Sequence, residues 1–89
     1  MRPVSIDIYH AYEALDIGDI DMLIGITSKW SWPWDDMAAY AASIGDRDAT
    51  IYLIEKADSI DTIYRCMYEA RTNGHYNLFR LLERIARTA

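Results

Sequence analysis

The sequence predicts an all-α protein built from three stacked helix-turn-helix hairpins, with about six short helices. One observation is a pattern that occurs three times: Ala, three residues, Gly, a polar residue, any residue, then Asp or Asn. Its copies cover residues 14–21, 41–48 and 70–77, and their glycines are 27 and 29 residues apart. The second observation is that apolar residues recur at helical spacing beside each copy. No segment shows the alternation of apolar and polar residues that is typical of a strand. A period of this length is typical of stacked helical units.

The first hairpin is predicted for residues 6–29. Its first helix runs from about residue 6 to 17 and ends at Gly18, because glycine adopts the left-handed conformation without a Cβ clash. Its second helix begins near Asp19 and ends near Lys29.

The second hairpin is predicted for residues 33–56, after a break at 30–34. Pro33 interrupts a helix but suits its first turn, and Asp35 and Asp36 follow at the positive end of the helix dipole. This helix stops at Gly45, and the next covers about 46–56.

The third hairpin is predicted for residues 60–87. Ser59 is a candidate N-cap, and Asn73 and Gly74 end the first helix. The last helix carries an apolar stripe at i, i+3, i+4 and i+7. Small residues recur where helices must approach closely: Ala11, Ala14, Ala38, Ala41 and Ala70.

Size and composition predict one small domain over residues 1–89, with enough apolar residues for a core. Cys66 is the single cysteine, so an internal disulfide is impossible, which fits a reducing, cytoplasmic location. Neither a secretory signal nor a run long enough to span a membrane is visible.

Charge is distributed unevenly along the chain. Residues 1–62 carry a net charge of −8, whereas residues 63–89 carry +3. An acidic body repels phosphates, so we expect no direct contact with nucleic acid and a protein partner with a basic or mixed surface. The arginine-rich end is either a solvated helix face or a second contact.

The third copy of the pattern, within residues 69–83, resembles the helix-turn-helix centre of an ankyrin repeat. That family has paired alanines, two variable residues, Gly-His, a variable residue, an acid or Asn, and an apolar run that ends in paired leucines. The second copy keeps Ala41, Ala42 and Gly45 but has Asp46 for histidine; the first keeps Ala14, Gly18 and Asp21. All three lack the family's Thr-Pro-Leu-His start, and the inter-repeat fingers are shortened. The resemblance implies protein binding without catalysis, and a turn role for His75, whose side chain bonds within its own turn.

Histidine and cysteine offer few candidates for chemistry. No HExxH or CxxC motif occurs, so neither a metal site nor a cofactor is expected. His10 is predicted to be partly buried on its helix, and Cys66 to be a buried, inert thiol. A small enzyme that uses Cys66, His10 or His75 is the less favoured alternative.

Three acidic pairs stand at predicted helix starts, where capping and the helix dipole explain them. They are Asp19 with Asp21, Asp35 with Asp36, and Asp46 with Asp48. The ligand spacing of a calcium loop is missing.

Three tryptophans fall within five residues, which is more indole than a short connection can easily bury. Trp34 is expected in the core. Trp30 or Trp32 is then partly exposed and available as an interface anchor, or both pack over the corner between the second and third helices. The predicted contact surface comprises Trp30, Trp32, Asp35, Asp36, Asp46 and Asp48.

These features predict a non-enzymatic protein-binding module that inhibits a larger complex stoichiometrically by covering a functional surface. Small proteins of phages and mobile elements act in this way inside host cells, anti-CRISPR proteins against nucleic-acid-binding defence complexes among them. Mimicry of nucleic acid by the acidic surface is a variant of this hypothesis. The alternative from another class is a structural unit that forms a homodimer through its first or last helix.

Overall fold

The computed structural model describes the backbone of residues 5–28 and 31–88 and the side chains of residues 7–28 and 31–88. Over these residues it contains six helices and no strand, which confirms the all-α prediction. The helices are α1 (Ser5–Ile17), α2 (Ile20–Thr27), α3 (Trp34–Ser43), α4 (Arg47–Ala57), α5 (Ile60–Thr72) and α6 (Tyr76–Thr88). Each predicted helix end lies within two residues of the observed one.

Contacts between Cα atoms divide the chain into two compact units, Met1–Pro33 and Trp34–Ala89. The first unit contains the α1–α2 hairpin and the second contains α3 to α6. A single domain over residues 1–89 therefore stays a prediction.

In the first unit, α1 and α2 pack against each other. The buried side chains include Ala11, Ala14 and Leu15 from α1 and Leu23 from α2. Thr27 is buried as well, and its hydroxyl donates a hydrogen bond to the carbonyl of Leu23 at 2.7 Å. The hairpin thus uses its small residues at the helix contact, as the sequence predicts.

The second unit stacks two hairpins. Helix α3 packs against α4 and α5 against α6, and the two hairpins join mainly through α3 and α5, the first helix of each. Their alanines are fully buried, so the helix backbones approach closely. The largest fully buried side chains of this unit are Met37, Leu53, Leu82, Thr50 and Cys66.

The repeated sequence pattern builds the same turn three times. After each of α1, α3 and α5, a glycine adopts a positive φ, between 73° and 81°. The residue after the glycine then donates its backbone N–H to a carbonyl five residues earlier, which closes the helix end. These bonds run from Asp19 to Ala14 (3.0 Å), from Asp46 to Ala41 (3.0 Å) and from His75 to Ala70 (2.8 Å).

Two of these turns also begin the next helix with an aspartate cap. Oδ1 of Asp19 accepts a hydrogen bond from the backbone N–H of Met22 at 3.0 Å, and Oδ1 of Asp46 accepts one from Ala49 at 3.2 Å. Both caps confirm the prediction. Ser59 occupies the N-cap position of α5, but its side chain makes no capping bond.

Among the helices of residues 5–28 and 31–88, none combines the length and the apolar character that crossing a bilayer requires.

Candidate protein-binding surface

Helix α5 has two distinct sides. Ile63, Cys66 and Ala70 are buried, whereas Tyr64 and Tyr68 on the opposite side are 55% and 66% exposed. Residues four apart lie above one another on a helix, so the two rings form one aromatic stripe. Single exposed tyrosines also occur at Tyr9 and Tyr76, but two neighbouring rings on one helix make a contiguous patch, which marks a candidate contact surface.

Charged residues link the same helix to α3. Nη1 of Arg65 donates a hydrogen bond to Oδ1 of Asp36 at 2.7 Å, and it lies 3.9 Å from Oδ2 of Asp35. The hydrogen bond to Asp36 raises the pKa of Arg65 above its ordinary value. We call Tyr64, Tyr68, Arg65, Asp35 and Asp36 the tyrosine face.

The ion pair contributes little to stability, because all three side chains are about half exposed to water. The pair joins the first turn of α3 to the middle of α5, the helix that carries the two exposed tyrosines. A partner that meets this side of α5 would find exposed aromatic rings and charged side chains on the same pair of helices.

The predicted acidic residues do not form one cluster. Asp35 and Asp36 lie in the first turn of α3, whereas Asp46 and Asp48 follow its other end. The ten residues of α3 separate the two pairs by about 15 Å along the helix axis. The side chain of Asp46 also caps α4 by accepting a hydrogen bond from the backbone N–H of Ala49, while Asp48 is exposed.

Trp32 does not offer the exposed indole that an interface anchor requires. Its side chain is only 5% exposed, and Nε1 has no hydrogen-bond partner among residues 5–28 and 31–88. Burial is favourable for so large an apolar ring, even with its N–H unpaired. Trp30, the other candidate anchor, lies outside the described residues. Trp34, expected in the core, is half-buried and meets Tyr52 edge-on, with 6.5 Å between ring centroids.

Both histidines depart from expectation. His10 is exposed rather than partly buried, because it lies on the outer side of α1, where its ring meets Tyr9 with 6.1 Å between centroids. His75 does not bond within its own turn. Its Nε2 lies 3.0 Å from the carbonyl oxygen of Ser43, in the preceding hairpin, because the ring lies against Gly45 and so reaches the neighbouring turn.

Cys66 is buried, as predicted, and burial raises the pKa of its thiol to about 12. Such a thiol carries almost no thiolate at neutral pH, so it is a poor nucleophile. Within residues 5–28 and 31–88, no three His, Cys, Asp or Glu side chains are grouped so that they could hold a metal ion.

The sequence analysis missed Tyr64 and Tyr68 because it gave the tryptophans priority. The sequence does indicate their position. Tyr64 and Tyr68 are four residues apart and lie outside the apolar stripe formed by Ile63, Cys66 and Ala70. A helical projection of α5 alone would have placed both on the solvent side.

Comparisons with protein-family models, curated proteins and solved structures found no match for this chain.

Proposed function

We propose that this chain is a non-enzymatic protein-binding module that inhibits a larger complex by covering a functional surface with its tyrosine face. The observation that carries the proposal is the pair of exposed tyrosines, Tyr64 and Tyr68, on the helix that joins the two stacked hairpins. Binding through the exposed side of stacked helices is typical of helical-repeat proteins.

Tyrosine suits a contact surface for a physical reason. Its large ring has only two side-chain torsions, so it buries much area for a small loss of conformational entropy. Its hydroxyl can meanwhile bond to polar groups of the partner. Tyrosine and arginine are enriched among the residues that dominate binding energy, and Arg65 stands three residues before Tyr68 on the same helix.

Charge supports a partner with a basic or mixed surface. Asp35 and Asp36 share one cation, Arg65, so this corner of the face keeps a negative balance. The chain as a whole carries −5. Long-range attraction of this sign accelerates the encounter with basic surfaces, and proteins that bind nucleic acid expose such surfaces.

The area that the chain can present is compatible with an inhibitory role. A protein of 89 residues presents enough area for one interface of ordinary dimensions, about 800 Å² per partner. Inside a host cell, the chain would bind the basic surface of a nucleic-acid-binding defence complex. Each bound copy would block one such surface. Proteins of phages and mobile elements provide the precedent for this role.

The geometry of Cys66, His10 and His75 supports the non-enzymatic part of the proposal. Nucleophilic catalysis needs a thiol and a base within hydrogen-bond reach. Cys66 is buried in the second unit, and Nε2 of His75 is engaged by the carbonyl of Ser43. His10 is exposed on α1, where its ring meets Tyr9.

A homodimer is the second candidate, and exposed apolar residues of the first hairpin favour it. Tyr9 and Ile17 on α1 and Ile24 on α2 are exposed, and a second copy could cover them. Sedimentation equilibrium at high protein concentration decides this point, because a monomer there would exclude the dimer.

Site-specific photo-crosslinking tests the proposed contact. A photoreactive phenylalanine analogue replaces Tyr64 or Tyr68 in one set of samples and Tyr9, which is 69% exposed, in the control. We expect one discrete crosslinked protein from positions 64 and 68 in host cells and none from position 9. Equal crosslinking from all three positions would contradict the proposal.

A further inference from the structure

A cleft of about 910 Å³ opens where α6 begins, beside the start of α4. It lies in the second unit and shares no residue with the tyrosine face. Its lining includes Arg47 from α4 and Tyr76, Asn77, Arg80, Glu83 and Arg84 from α6. Volumes of this order accommodate a small organic ligand.

The lining is basic although the protein is acidic. It contains three arginines, Arg47, Arg80 and Arg84, and none of them is in an ion pair with any other described residue. The single carboxylate of the lining, Glu83, is 3.7 Å from Nη2 of Arg87. Uncompensated guanidinium groups around a concavity favour an anion, and their planar N–H groups match phosphate oxygens.

An aromatic ring and an amide accompany the arginines. Tyr76 is 62% exposed, and Asn77 follows it in the first turn of α6. Exposed tyrosines stack on nucleobases, and asparagine bonds to their polar edges. Neither property is needed to hold a simple anion such as phosphate.

One wall of the cleft is fixed by the link between the hairpins. His75 contacts Gly45, and its Nε2 lies 3.0 Å from the carbonyl oxygen of Ser43. The two turns that border the cleft are thereby held together. Arg47 and Tyr76, the first residues of α4 and α6, follow these two turns directly, so a ligand in the cleft could contact both.

We propose that this cleft binds a nucleotide, with its phosphates on Arg47, Arg80 and Arg84 and its base on Tyr76. A mononucleotide fits the charge balance better than a long nucleic acid, because the acidic remainder of the chain repels an extended phosphate backbone. An acidic peptide would use the arginines but not the stacking surface.

Titration followed by backbone NMR tests the assignment on the full chain at low salt, with ATP, ADP and inorganic phosphate as separate probes. We expect saturable shifts with ATP at residues 45–47 and 74–84, and weaker binding of inorganic phosphate. Shifts centred elsewhere, or none at millimolar ATP, would overturn the proposal.

Matched variants distinguish binding in the cleft from a general effect of removing one positive charge. Arg80→Ala and Arg84→Ala should each weaken ATP binding by about fivefold to tenfold. Arg71→Ala removes the same charge from the end of α5, outside the lining, and should leave it unchanged. Equal weakening by Arg71→Ala would overturn the site.

The base contact has its own control. Tyr76→Ala should weaken ATP binding severalfold without affecting inorganic phosphate, whereas Tyr64→Ala should affect neither. Circular dichroism confirms that each variant is folded. If Tyr76→Ala leaves ATP binding intact, or if phosphate binds as tightly as ATP, the assignment to a nucleotide is wrong.

Discussion

The imidazole of His75 lies against the backbone of Gly45, in the turn of the preceding hairpin. A Cβ added at Gly45 would be 2.7 Å from Nδ1 of His75, closer than real Cβ contacts allow. At the corresponding position the other two turns have Asp19 and Asp46, which cap their own helices. His75 instead bonds to the carbonyl of Ser43. The third turn therefore has a side chain that links two hairpins, where the other turns have one that caps the next helix.

Gly45→Ala should destabilise the protein more than Gly74→Ala. Both glycines have positive φ, 78° and 81°, which costs an alanine about 1 kcal/mol. A Cβ at Gly74 meets no described residue within 4 Å, whereas at Gly45 it displaces His75 and breaks the bond to Ser43. We expect a further loss of about 1 kcal/mol in the free energy of unfolding, measured by urea denaturation.

A double-mutant cycle identifies the cause of that extra loss. In a His75→Ala background, Gly45→Ala should cost only as much as Gly74→Ala, because no ring remains to be displaced. If the excess persists without the imidazole, the contact between His75 and Gly45 is not its origin.

Asp46→Ala should lower the free energy of unfolding by about 1 kcal/mol, since it removes the side chain that accepts from Ala49. The matched control is Asp48→Ala, an exposed residue in the first turn of the same helix, which should cost a few tenths of a kcal/mol. Urea denaturation measures both. Equal losses would show that the helix dipole, and not the cap, stabilises this end.

The helices could be predicted from the sequence because each boundary has a local chemical cause. Gly18, Gly45 and Gly74 adopt the left-handed conformation that ends a helix, and Asp19 and Asp46 cap the helices that follow. The end of α4 lacks such a signal. Asp58 takes the left-handed conformation there at φ 50°. Because this residue is not a glycine, the glycine signal used for the other helix ends does not predict this one.

The candidate site was less predictable because it depends on contacts between distant residues. Arg65 and Asp36 are 29 positions apart, and no local pattern indicates their pairing. The burial of Trp32 and the reach of His75 to Ser43 are likewise tertiary effects. Helical periodicity ranks the faces of one helix, but it does not show which residues of two helices meet.

Stability should fall above pH 9 because of Cys66. Burial raises the pKa of its thiol from 9.0 to about 12 in the folded protein. As the pH rises past 9.0, the unfolded chain releases this proton while the folded protein keeps it, so unfolding becomes more favourable. The contribution is fully present below pH 9 and is lost by up to about 1.4 kcal/mol per pH unit above it.

Cys66→Ala provides the control, because it removes the thiol and keeps the other titrating groups. The free energies of unfolding of the two proteins should differ by a constant amount between pH 7 and pH 8.5 and converge as the pH approaches 10. Parallel curves over the whole interval would mean that the thiol titrates alike in the folded and unfolded states.

The most direct test of the proposed function is the affinity of the crosslinked partner, measured by titration calorimetry. The chain, its Tyr64→Ala/Tyr68→Ala variant and its Tyr9→Ala variant are compared at equal helical content. The account predicts one-to-one binding, a loss of at least about tenfold for the double variant and no change for Tyr9→Ala. Undiminished binding by the double variant would contradict it.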